Sequence, residues 1–335
     1  MTPVSPRHAE IGVPSGWRPL DPTAFTRRST CPSCDSPHGV PVRGLGRNII
    51  VGRQFPAGAF SFGQDLRRAR DLWECDRCGL IYQGLVPSKS LLLSLYATSE
   101  VRRPWPADRR RLTWARALRC LPGRPGRILD VGANDGHFLS LLPDGWDASA
   151  LEPVGAMRDE LRKRTSTIFE GFIDDRGLGL PEESFDVVCL FDVFEHLLDV
   201  RSAVNNIMDC LKPGGLVLIE TGTTRCLPAR LFKSLWWYYD YIEHLVFFSP
   251  SSLAHALASA GIRIEQCQPV VHTDMGGPGL MWKDLAVKLG RVWTWKAKLA
   301  VGIDARTEWL EHPFRVYWPD HLFVVGRKPA RSCDG

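Results

Sequence analysis

No apolar run in this chain approaches the roughly 20 residues that a membrane-spanning helix requires. The first residues, with Pro3, Pro6 and Glu10, also lack the apolar core of a secretion signal. Both absences make a cytoplasmic protein the expectation. An excess of one charge is missing as well. The 335 residues carry 42 Lys and Arg against 37 Asp and Glu, a net +5, with Arg clusters only near Arg67–Arg70 and Arg109–Arg111. So even a spread forms no obvious track for phosphates, and nucleic acid is not the expected partner. Two motifs are absent too. There is no Gly-x-Gly-x-x-Gly to cradle a dinucleotide pyrophosphate, and no Asn-Pro-Pro-Tyr of the kind used on exocyclic amines.

What is present begins with cysteine. Four of the ten occur as Cys31-Pro-Ser-Cys34 and Cys75-Asp-Arg-Cys78. Two such turns can set four thiolates at tetrahedral corners, the arrangement of a structural zinc with no open position for catalysis. In a cytosolic chain this outweighs a disulfide or redox reading. The gap of about forty residues between the pairs is longer than a compact zinc ribbon needs. A small β insertion around Asn48 to Phe62 is expected to fill it.

The stretch from Arg127 to Phe138, RILDVGANDGHF, is the centre of the chain. A short apolar run ends in Asp130 and enters a tight loop at Gly132, Asn134 and Gly136, and an apolar helix pattern follows. This reads as a buried parallel strand feeding a helix, with a loop where a ligand approaches the backbone. Asp130 and Asp135 would repel a pyrophosphate but suit a cationic ligand. A regular β/α alternation continues: Trp146 to Leu151 ending in Glu152, a helix from Val154 to Arg164, and a strand from Thr167 to Phe169. Phe185 to Phe191 is a fully buried strand that leads into Asp192-Val-Phe-Glu195-His196. Lys212-Pro-Gly-Gly215 then precedes the strand Leu216 to Glu220.

Over Arg127 to Glu220 the chain resembles the class I S-adenosylmethionine-dependent methyltransferases, with Asn134 standing where their middle glycine usually is. The resemblance implies a Rossmann-like α/β fold of seven strands, the last inserted antiparallel between the fifth and sixth. It also implies S-adenosylmethionine bound by Asp130, Gly132, Asn134, Gly136, Glu152 (ribose hydroxyls), Asp174 (adenine side, with Asp175 as the alternative) and Asp192 (methionine end). Glu195 and His196 are expected beside the substrate or one layer behind it.

Further on, Tyr241-Ile-Glu243-His244 is followed by Phe247, Phe248 and Ser249. This is similar to the zinc-containing sugar methyltransferases, whose Tyr-x-Glu-His signature is implicated in proton transfer. It departs from them at Ile242 and Val246, and about ninety residues follow His244 where that family carries a large further domain. The implied roles are His244 as general base, with Tyr241 and Glu243 assisting, and a sugar or polyol as acceptor at oxygen or carbon. A base is needed because a hydroxyl is a weak nucleophile until it loses its proton.

Strands are expected at Ile262 to Gln268 and His321 to Arg327. Between them, a helical segment of about 271–319 carries Trp282, Trp293, Trp295, Trp309 and Trp318 among lysines. It reads as a lid or, less favoured, as a peripheral membrane contact through 281–302. The expected organisation is therefore an irregular arm (1–27), a zinc-binding module (28–86), linking helices (87–123) and a methyltransferase domain (124–330). Two other functions compete with a small-molecule methyltransferase: an RNA methyltransferase, and a module that binds the cofactor without turnover.

Overall fold

The computed structural model describes residues 17–19, 24–42, 50–53, 66–68, 72–97, 107–233, 236–239, 241, 243–272, 278–302 and 317–331. Most of the expected arm, most of the 48–62 insertion, and residues 273–277 and 303–316 of the late segment lie outside them.

The N-terminal part is built of short strands. These are β1 (Trp17–Pro19), β2 (Phe25–Arg27), β3 (Gly39–Pro41), β4 (Ile50–Arg53), β5 (Leu66–Arg68), β6 (Leu72–Cys75), β7 (Ile81–Gln83) and β8 (Leu85–Pro87). The two cysteine turns are built alike. Asp35 N–H bonds Cys31 O and Gly79 N–H bonds Cys75 O, each at 3.0 Å. The residue closing each turn has positive φ, 54° at Asp35 and 68° at Gly79. Helix α1 (Lys89–Tyr96) is capped by the Ser88 side chain, which accepts the Leu91 N–H, satisfying a donor that the first turn leaves open. Helix α2 (Ala107–Cys120) follows.

The main sheet then forms from β9 (Arg127–Val131), β10 (Asp147–Leu151), β11 (Thr167–Phe169), β12 (Phe185–Phe191), β13 (Leu211–Gly222), β15 (Arg263–Val271) and β16 (Pro319–Arg327). Its helices are α3 (Gly155–Leu161), α4 (Val200–Cys210), α5 (Leu227–Phe232), α6 (Pro250–Ser259) and α7 (Pro278–Ala300), and β14 (Val246–Phe247) lies outside it. The strand order is β11-β10-β9-β12-β13-β16-β15. Strand β16 runs antiparallel to both β13 and β15, whereas β11, β10, β9, β12 and β13 are parallel. This is the seven-stranded arrangement expected from the sequence. Central strands shielded on both faces are continuous apolar runs, and β12 (FDVVCLF) is one over Val187 to Leu190, all fully buried, with Asp186 near its start only partly buried.

The helix expected after Gly136 is reduced to one 3-10 turn, Leu139–Leu141. Leu142 precedes Pro143, which forces extended backbone (φ −63°, ψ 141°), and a helix ends there. Two apolar layers flank the sheet. One packs α4 and α6 against it and includes all four paired cysteines with Leu80 and Tyr82. The other holds Trp114 and Ala117 of α2 with Phe138 and Phe323. The cysteine module is thus continuous with the main core. Among the described residues no helix is long and apolar enough to cross a membrane.

Candidate active site

Register lines up the candidate residues along one edge. Leu151 is level with Val131, Val131 with Leu190, Phe191 with Glu220, and Gly222 with His321. The residues just past those positions are therefore neighbours in sequence along the carboxyl end of the sheet, where an open α/β sheet takes its ligands.

At one end, Glu152 is buried and held by two backbone donors, with Asn134 N–H to Oε2 and Val154 N–H to Oε1, both at 2.9 Å. Burial raises its carboxyl to about 7 despite those two bonds and the nearby Arg158. The loop that supplies Asn134 needs its glycines: Gly132 and Gly136 have φ of +69° and +74°, and Asn134 itself is left-handed at 51°. The side-chain Oδ1 of Asn134 is buried without a protein partner, an acceptor that an adenosyl ligand could satisfy. Asp130 is buried at the end of β9. Asp174 lies after β11 and is also buried. Its Oδ2 accepts the N–H groups of Leu198 (2.8 Å) and Asp199 (2.9 Å), tying the segment after β11 to the start of α4, and burial raises its carboxyl.

At the other end, His244 is buried in a ring of aromatics. Its centroid is 4.2 Å from Tyr238, 5.0 Å from Tyr241 and 5.1 Å from His196. Its Nδ1 donates to Tyr238 O at 2.8 Å, a tautomer that leaves Nε2 as the basic nitrogen. General-base catalysis near neutral pH favours a group titrating near neutrality. Instead burial, with His196 alongside, depresses the imidazole well below its ordinary range, so it stays neutral at working pH. Glu243 is buried and offers its backbone carbonyl to His196 Nδ1 at 2.9 Å. Glu195, whose carboxylate lies within 4.8 Å of ring nitrogens of His196 and His244, receives the Thr221 hydroxyl at 2.8 Å. Burial and the Asp192 carboxylate raise it to about 7.

Three ties fix the His244 segment. Leu245 N–H bonds Glu195 O at 2.7 Å, and the Gln83 side chain reaches His244 O at 3.1 Å. Strand β14 pairs antiparallel with β7, immediately after the second cysteine turn. The cysteine module therefore braces the residue proposed from sequence as the base. Tyr238, whose Oη accepts Gly222 N–H at 2.9 Å, supports the segment from the opposite side. A Cβ on Gly222 would stand 2.1–2.5 Å from the Tyr238 ring. Gly222→Ala should displace Tyr238 and lower the unfolding midpoint, at a cost of about 1–3 kcal/mol, measurable by thermal denaturation. An unchanged midpoint would show the ring free to move.

Several residues here were missed in the sequence. Glu220 is fully buried and accepts from Thr113 (2.7 Å), Arg116 (3.0 Å) and His272 (3.3 Å). His321 bonds Asp320 at 2.7 Å. Burial pushes its imidazole down, but Asp320 and the Asp192 carboxylate together hold it up at about 9. An antiparallel strand begins where parallel neighbours end, so a histidine opening β16 had to reach the carboxyl edge. That was the available signal.

The four cysteine sulfurs are all buried and lie within 4.8 Å of one another. Cys31 is 3.6 Å from Cys78 and Cys34 is 3.5 Å from Cys75. Zn–S bonds of about 2.3 Å at tetrahedral angles imply sulfurs about 3.8 Å apart, so the set fits a zinc ion.

Residues 105–266 match the family model described as a methyltransferase domain. The chain is 31% identical over 114 residues to a ubiquinone biosynthesis O-methyltransferase of Methylobacterium nodulans, covering 31% of this chain and 45% of that one. It is 26% identical over 136 residues to a tRNA U34 carboxymethyltransferase of Desulfotalea psychrophila, covering 36% and 40%. The chain thus spans less than half the length of these two relatives. Among solved structures, a SAM-dependent methyltransferase of Archaeoglobus fulgidus aligns at 18% identity, covering 65% of this chain and 94% of that one, with a TM-score of 0.44. Residues 105–266, just under half of the chain, are thus similar to a methyltransferase domain.

Proposed function

We propose that the protein transfers a methyl group from S-adenosylmethionine to a hydroxyl of a small-molecule acceptor, with a sugar or polyol as the favoured class. The observation that carries this reading is the shared edge. A ribose-type carboxylate (Glu152) and a glycine loop stand at one end, and a neutral, oriented imidazole (His244) at the other, with Asp192 between.

The residues divide the work as follows. Glu152, already fixed by two backbone donors, accepts the ribose hydroxyls. Gly132, Asn134 and Gly136 let the backbone approach the cofactor, Asp130 and Asp192 face its cationic end, and Asp174 shapes the adenine side through its tie to α4. When bound, the cofactor supplies an activated methyl on a sulfonium. His244 Nε2 would take the acceptor's proton, readying its oxygen for the methyl that the cofactor would supply. The imidazolium formed lies beside Glu195 and Asp192, which offsets its burial. Tyr241 and the rings around it exclude water and align the acceptor. Cys31, Cys34, Cys75 and Cys78 would hold a structural zinc.

Calorimetry with S-adenosylmethionine, then transfer of a labelled methyl to a panel of sugars, polyols, phenols and tRNA, tests the reading. Absence of cofactor binding would sink it, and labelling of tRNA alone would replace its acceptor. The state of Glu152 provides a further check. Its carboxyl, raised to about 7 by burial, is ionised above that pH and protonated below. Cofactor affinity should fall about tenfold per pH unit below 7, and Glu152→Gln should bind weakly with no such slope.

A further inference from the structure

Beside Asp192 lies a cluster to which methyl transfer assigns no task. His272 directly follows β15 and His321 opens β16, and pairing of Val270 with His321 brings the two strand ends together. The imidazoles stack with centroids 4.4 Å apart and planes at 21°. His272 Nε2 is 3.4 Å from Asp192 Oδ2, and His321 Nε2 is 3.7 Å from Asp192 Oδ1. On the far side of each ring, Nδ1 meets a carboxylate of its own: Glu220 at 3.3 Å and Asp320 at 2.7 Å. In the neutral ring an Nδ1–H donated outward leaves Nε2 as the inward-facing ligand atom, the support that metal-binding histidines characteristically receive; an ion would displace the proton that His321 otherwise holds.

We propose that Asp192, His272 and His321 form a site for a divalent first-row transition ion such as zinc, separate from the four cysteines. The three ligand atoms lie within 4.8 Å of one another, and the side chains are at most 16% exposed. Two imidazoles and one carboxylate suit such an ion and leave coordination positions open. Charge argues the same way. The carboxylates of Asp192, Glu195, Glu220 and Asp320 crowd this edge, with Arg116 the cation paired to Glu220. Uncompensated buried charge is costly; Arg116 and the proton on His321 offset part of it, and a divalent ion that displaces that proton adds one further positive charge.

The chemistry rests on the methyl-transfer reading. The open positions would take two adjacent oxygens of the acceptor, a vicinal diol, and the ion would polarise the hydroxyl whose proton passes to His244. Asp192 then holds the acceptor's ion and no longer faces the cofactor's cationic end.

The test titrates Co2+ into the purified full chain, with zinc already in the cysteine site. Expected is one equivalent of bound cobalt with d–d absorption and no thiolate charge-transfer band. His272→Ala and His321→Ala should each abolish that absorption, while zinc content and S-adenosylhomocysteine affinity, which report folding, stay unchanged. Proton spectra of the cobalt-loaded wild type, which need no variant, should show two paramagnetically shifted imidazole N–H resonances. Wild type without cobalt absorption, or variants that retain it, would overturn the site and leave an imidazolium–carboxylate network. S-adenosylhomocysteine binding without cobalt would spare the cofactor reading, and cobalt binding without S-adenosylhomocysteine would spare only the metal site.

Discussion

Cys75→Ser is expected to abolish zinc binding at the site proposed for the four cysteines and cost at least 10²-fold in turnover, although none of the four sulfurs belongs to the proposed methyl-transfer edge. Structural zinc contributes on the order of 10–16 kcal/mol in isolated peptides. The cysteine core here is continuous with the sheet core, so part of that cost reaches the whole fold. The specific route to activity is shorter. Cys75 ends β6, β6 pairs with β7, and β7 pairs with β14 through Tyr82–Val246 and Ile81–Phe247. Gln83 N–H also bonds Leu245 O at 2.9 Å. Losing the metal therefore loosens the strand that anchors His244, and a displacement of about 1 Å is enough to cost 10²-fold. Metal analysis, hydrogen exchange over 81–83 and 245–248, and turnover measure the three links separately. A soluble, zinc-free variant with native exchange and full turnover would refute the brace.

That brace also marks where sequence reading stopped. The main sheet was legible because buried parallel strands are continuous apolar runs, and the cysteine turns because metal geometry fixes a spacing within four residues. The pairing of β7 with β14 joins segments more than 160 residues apart, and no local pattern announces it. His272 and His321 are more than 40 residues apart and meet only because β16 reverses direction between β13 and β15. The shortened helix after Gly136 was legible in principle, since Pro143 stands seven residues on. For His244, the sequence indicated an imidazole base but not its burial, which sets how readily it takes a proton.

His244→Ala is expected to lower kcat about 10²–10⁴-fold, the usual contribution of a positioned base, with cofactor affinity nearly intact. The separation follows from position: Glu152 and the glycine loop belong to β9 and β10, whereas His244 is held by Glu195, Tyr238 and Gln83. Removing the ring also opens space against Tyr238 and Tyr241, so His244→Gln is the better-packed companion and should be nearly as slow. The pH profile gives an independent readout. Burial holds the imidazole well below its ordinary range, and a base works only when unprotonated, so the acid limb of kcat set by His244 should lie well below pH 6.5. An acid limb near 7 under saturating cofactor would belong instead to Glu195, which burial and Asp192 raise to about 7; Glu195→Gln would then abolish it. Full turnover by His244→Ala would remove His244 as the base and leave Glu195, an ionisable neighbour grouped with it, as its replacement.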